Sequence, residues 1–141
     1  MKIAELKIDN WVYGVDNSPV QISAITSSYI GEEHDYVSLD NKGDCLCKDL
    51  KPIPFTEELF FKNNFTKQTF ALNGKNNNSL YKLIKDTAII QVSYVAESYV
   101  RVDIIAKENF IDYCVIRQHI YVHELQNLYN DLTKKQLEIE L

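Results

Sequence analysis

The sequence predicts an α+β fold that is mostly antiparallel β: an N-terminal SH3-like small barrel or curled sheet, then an antiparallel sheet packed by a C-terminal helix. Three observations carry this. Short β-prone runs joined by turn residues fill the N-terminal third, a two-residue alternation marks a hairpin from Ala88 to Ile104, and the apolar period lengthens to helical spacing after Tyr121. At 141 residues the chain suits one domain or two very small ones, and a 45 % hydrophobic, 25 % charged composition can bury a core without metal or disulfide help. The expected organisation is a β subdomain over 1–50, a linker and short helix over 51–65, and a sheet with its helix over 66–141.

Taken in order, Trp11 to Val15 is β-prone, Asp16-Asn17-Ser18-Pro19 is turn chemistry, and Val20, Ile22 and Ala24 alternate with polar neighbours. Tyr36 to Asp40 and Cys45 to Lys48 form a second pair around Asn41-Lys42-Gly43-Asp44. Pro52 and Pro54 hold Ile53 extended. Thr56 is a natural N-cap, Glu57 and Glu58 sit where the helix dipole favours negative charge, and Asn63-Asn64 ends this short helix. Thr66 to Leu72 and Ser79 to Ile84 read as strands, with Asn73 to Asn78 an exposed polar loop between them.

In the hairpin, Ala88, Ile90, Val92 and Tyr94 form one strand face, and Val100, Val102 and Ile104 form its counterpart. Both sets point the same way only if paired residue numbers sum to an even value. This predicts a three- or five-residue loop; the three-residue form, Glu97 to Tyr99, pairs Tyr94 with Val102 and Val92 with Ile104. Phe110 to Ile120 reads as one more strand. Val122, Leu125, Leu128, Tyr129 and Leu132 then recur at helical spacing, with His123, Asn127 and Asn130 on the opposite, solvated side. The apolar stripe of this helix is expected on the even-numbered face of the hairpin. Lys134 to Leu141 fits a helix extension and a terminal strand equally well.

The net charge of −5, with no Lys/Arg run longer than two, disfavours nucleic acid as a partner. Cys45, Cys47 and Cys114 are an odd set and a poor disulfide framework, so they read as reduced small hydrophobes in a cytoplasmic protein. Met1 to Asn10 lacks a signal-peptide h-region and no apolar run reaches membrane length, so no membrane partner is expected. No glycine-rich phosphate loop appears, and no cofactor is expected. No metal site is expected either: His123-Glu124 begins a zinc-helix motif that Asn127 breaks, and His34 among Glu32, Glu33 and Asp35 reads as an ordinary polar loop. Cys114 and His119, five residues apart on a strand, would lie about 16 Å apart on opposite faces. The expectation is therefore a non-enzyme with no catalytic residues.

Trp11, Tyr13, Tyr29 and Tyr36 remain as candidate contact residues, because SH3-like barrels present aromatic grooves to peptides. Strand aromatics more often serve as core than as a binding platform. Phe60, Phe61 and Phe65 fit either a dimer patch or packing of the short helix, which leaves a homo-oligomer open.

Three segments resemble small prophage and conjugative-element proteins of Bacteroidetes. Glu5-Leu6-Lys7-Ile8-Asp9-Asn10-Trp11-Val12 resembles their "L-R-I-G-N-W-V" start. Leu50-Lys51-Pro52-Ile53-Pro54-Phe55-Thr56-Glu57-Glu58 resembles their "I-x-P-I-P-L-T-E-E" junction, and Tyr121-Val122-His123-Glu124-Leu125-Gln126-Asn127-Leu128-Tyr129 their "Y-V-H-Q-L-Q-N-L-Y" helix. The chain departs at Asp9, where that pattern has Gly, and over Asn130 to Lys135, where it often reads "F-A-L-T-G-E". The resemblance implies a context, a cytosolic accessory protein of a mobile element, and no functional residue. The expected function is non-enzymatic binding of a host protein or other macromolecule, with inhibition of a defence protein as a natural use by analogy. The alternatives are a sponge for a cyclic-nucleotide immune signal, using the Asn-rich loop and tyrosines, and a nucleic-acid-binding module.

Overall fold

Val12, Val20, Ile22, Val37 and Leu39 alternate with more exposed neighbours, and this alternation folds the N-terminal third into an antiparallel sheet with one buried face. The structure, a computed structural model, describes residues 1–27, 34–72, 74–95, 99–107 and 111–141. It divides into two units: Met1–Pro54 with Tyr121–Asn127, and Phe55–Ile120 with Leu128–Leu141.

The sheet of the first unit contains β1 (Trp11–Tyr13), β2 (Pro19–Thr26), β3 (Tyr36–Leu39) and β4 (Gly43–Leu46), in that spatial order and all antiparallel. It does not close on itself, so it is a curled sheet rather than a barrel. Its core holds Leu6, Val12, Val20, Ile22, Val37, Leu39, Cys47 and Leu50, with Ile25 and Cys45 packed against it.

Three expectations for this unit change. β1 stops at Tyr13, because the Gly14 N–H turns to the Ser18 carbonyl, and Val15 is 65 % exposed. In β2 the register shifts between Ile22 and Ala24, so Ile25, not Ala24, lies opposite buried Val37. The β4 hairpin starts at Gly43, whose φ of +75° suits the turn, and Cys47–Asp49 forms a 3-10 turn instead of continuing the strand. The Asp16 turn is as expected. Its carboxylate accepts from the Ser18 N–H and hydroxyl, and from Lys42 Nζ at 2.6 Å; these bonds, that of Lys42 first, hold it well below the usual carboxylate range.

The second unit opens with α1 (Glu57–Lys62), capped by Thr56 Oγ1 accepting from the Leu59 N–H at 3.3 Å. Asn63 closes it, and Asn64 turns the chain at a φ of +62°. There follow β5 (Thr66–Leu72), β6 (Lys75–Lys85), β7 (Ala88–Val95), β8 (Tyr99–Ala106) and β9 (Ile111–Arg117), an antiparallel meander in sequence order. The polar stretch expected as a loop is largely strand. Residues 75–78 belong to β6, and Asn78 is 1 % exposed with its Nδ2 donating to the Phe70 carbonyl at 3.2 Å.

The β7–β8 hairpin obeys the parity argument with the register displaced by two. Tyr94 faces Val100, Val92 faces Val102 and Ile90 faces Ile104, because the pairing runs on to Val95 opposite Tyr99; of the expected loop Glu97 to Tyr99, residues 97 and 98 lie outside the described residues. Ile90, Val92, Val102 and Ile104 are fully buried, each stabilising by about 1.5–3 kcal/mol relative to an exposed position. The outer face consequently pairs Ser93 with Arg101 and Gln91 with Asp103.

The C-terminal helix, α2 (Val122–Thr133), has Val122, Leu125 and Tyr129 buried as its spacing predicts. Its residues up to Asn127 group with the first unit and those from Leu128 with the second. The tail after it is neither helix nor strand. Leu137 and Ile139 alternate inward, and Asn63 clasps the backbone of Glu140, donating to its carbonyl at 2.9 Å and accepting from its N–H at 2.7 Å.

Candidate binding surface

Three of the candidate aromatic residues, Trp11, Tyr13 and Tyr36, lie on the face of the first sheet opposite its core. Val12 and Val37 are fully buried, so their neighbours Trp11, Tyr13 and Tyr36 project to the other side. Trp11 and Tyr13 are half-buried and sit opposite Gln21 and Pro19; Tyr36 is 38 % exposed and sits between Thr26 and Leu46. Trp11 and Tyr13 thus share one end of the sheet. Tyr36 lies two strands over, at the far end of β2, and is not brought together with them. Tyr29 lies outside the described residues, as do Glu32 and Glu33 of the acidic group around His34.

The edge of β1 is closed by side chains and a bridge. Tyr13 exchanges backbone hydrogen bonds with Lys51, at 2.9 and 3.1 Å, and the Trp11 N–H donates to Gln126 Oε1 at 3.0 Å. Gln126 Nε2 reaches the Asp9 carbonyl, Asn127 Nδ2 donates to the Glu5 carbonyl at 2.8 Å, and Asn10 Nδ2 donates to Asn127 Oδ1 at 3.0 Å. Of the side chains expected on a solvated helix face, His123 is 3 % exposed and Asn127 joins a clasp on the Glu5–Trp11 segment with its neighbour Gln126, 4 % exposed, whereas Asn130 is half-buried and donates to the Lys135 carbonyl at 3.3 Å. Gln126 and Asn127 fit there because the Glu5–Trp11 segment offers backbone groups that their amides satisfy. The composition at 123, 126 and 127 carried the signal: His, Gln and Asn are polar but uncharged.

Asp9-Asn10-Trp11 meets Gln126 and Asn127, and the Ile53 carbonyl accepts from the Val122 N–H at 2.9 Å while Pro54 bridges Tyr121. Asp9 adopts a φ of +68°, a conformation that glycine takes most easily. Glu124, the second residue of the broken zinc motif, accepts from the Tyr121 N–H at the helix start.

In the second unit, Phe60 and Phe65 are core: Phe60 stacks with Phe55 and Tyr81 and meets Phe65 and Tyr94 edge-on, while Phe61 is 49 % exposed. Burial pushes the Tyr94 hydroxyl up to about 12. Tyr81 donates to Glu57 Oε2, and Lys67 pairs with the same carboxylate, lowering it. Exposed apolar side chains sit on Ile84 and Ile116. Cys114 is exposed on β9, whereas Cys45 and Cys47 pack in the first core with thiols raised chiefly by burial; none of the three forms a disulfide. Among the described residues no group of His, Cys, Asp and Glu is arranged to hold a metal ion, and no helix is long and apolar enough to cross a membrane. Comparison with family models, with curated proteins and with solved structures gave no match.

Proposed function

We propose that this chain is a non-enzymatic accessory protein of a mobile element that binds a host protein through the outer face of its first sheet, with inhibition of a defence protein as its use. The observation that supports this reading is the division of labour along β1 and β3. Val12 and Val37 fill the core, so Trp11, Tyr13 and Tyr36 are not needed there and stand on the opposite face, Tyr36 at 38 % exposure. Aromatic side chains in that setting offer a large contact area at low entropic cost, and residues of this type dominate interface energetics.

The test is capture of the tagged chain's partner from a Bacteroidetes lysate, followed by affinity measurement with the purified partner. The expected result is one stoichiometric protein. Trp11→Ala and Tyr36→Ala should each weaken it roughly tens- to hundreds-fold, with circular dichroism unchanged. An affinity indifferent to both substitutions, or no stoichiometric partner, removes the reading. Thermal stabilisation by a cyclic nucleotide instead would move the assignment to nucleotide capture.

A further inference from the structure

Gln126 and Asn127 both exchange hydrogen bonds with the Glu5–Trp11 segment. His123 lies one turn earlier on the same helix face, 3 % exposed, and its buried Nδ1 has no hydrogen-bond partner among the described residues. Its ring lies nearly parallel to that of Tyr121, centroids 6.1 Å apart. We propose that His123 is an acid-sensitive latch: while neutral it lets the polar face of α2 hold Glu5–Trp11, and on protonation it releases that segment and opens the edge of β1 at Trp11.

The physical basis is the environment of the ring. A proton would place a full charge and an added N–H donor in a buried site where Nδ1 meets no acceptor among the described residues. The charges that act on it are the Glu5 carboxylate, which favours protonation, and the Met1 ammonium, which opposes it. On its own helix, the Glu124 carboxylate is turned to the Tyr121 N–H. Burial outweighs Glu5 and holds the imidazole down to about 4, against 6.5 when free.

Because the folded value is depressed, the open segment binds the proton more tightly than the closed one. The latch is therefore closed above the free value and loosens as pH falls toward the folded one. Between about pH 7 and about pH 4.5 the opening equilibrium rises roughly 50-fold on these values.

Two reporters sit at the latch: the Trp11 amide, held by Gln126, and the indole of Trp11, the single tryptophan of the chain. Hydrogen exchange across that pH range should show Trp11 amide protection falling tens-fold in the native protein and by less than about threefold in His123→Phe. Constant protection in the native protein, or an equal fall in the variant, overturns the proposal. Should His123→Phe not fold, the imidazole titration of the native protein, followed by NMR, replaces it. A Trp11 emission change with the same midpoint as the ring supports the latch, and a Trp11 signal that does not follow the ring overturns it.

Discussion

One side chain, Gln126, accepts from the Trp11 N–H at 3.0 Å and donates to the Asp9 carbonyl at 3.4 Å, so a single amide satisfies both a donor and an acceptor of the backbone. Replacing it with leucine keeps most of the volume and leaves both groups without that partner. Gln126→Leu should cost about 1–3 kcal/mol in denaturant unfolding, more than an exposed polar-to-apolar change. A cost below about 0.5 kcal/mol would mean water takes over both bonds. The reason this residue was not legible as buried is physical. A polar stripe suits water and buried backbone groups alike, and the backbone it meets lies 115 positions away in the chain for Trp11.

Elements were legible where a local period or a cap decides them. The Thr56 cap, the Thr66–Leu72 strand and the Val122, Leu125, Tyr129 stripe are local patterns, and the structure has each. Parity correctly put Ile90, Val92, Val102 and Ile104 on one face; it could not place the loop, because shifting a register by two preserves every face. The bulge after Ile22 and the inclusion of residues 75–78 in β6 were hidden for a related reason, since both are settled by the register with a neighbouring strand and not by local polarity. The face assignment has a direct consequence for stability. Ile90→Ala, at a fully buried position, should cost about 2–4 kcal/mol, whereas Ile84→Ala, at 63 % exposure on the other face, should stay within about 0.5 kcal/mol. Equal costs by denaturant titration would show that the outer face is covered in solution.

At the scale of the whole chain, neither unit is a continuous segment. The first needs Val122 and Leu125, both fully buried, and its β1 edge is closed by Gln126; the second needs Tyr129, Leu137 and Ile139 from beyond it. A reading that proceeds along the chain sees which face of each element is apolar but not which distant segment covers it, so contiguous subdomains were the natural expectation. Contacts of such sequence separation must also wait for the C-terminal residues before they can stabilise anything. A chain ending at Ile120 should therefore lose amide dispersion in both units, and adding a peptide of residues 121–141 should restore it. If the shortened chain instead keeps native chemical shifts in β2, β3 and β4, the first sheet is self-sufficient and the helix is only its clasp. Restoration by the peptide would separate a missing structural segment from aggregation of a truncated product, because an aggregated chain would not recover on simple addition.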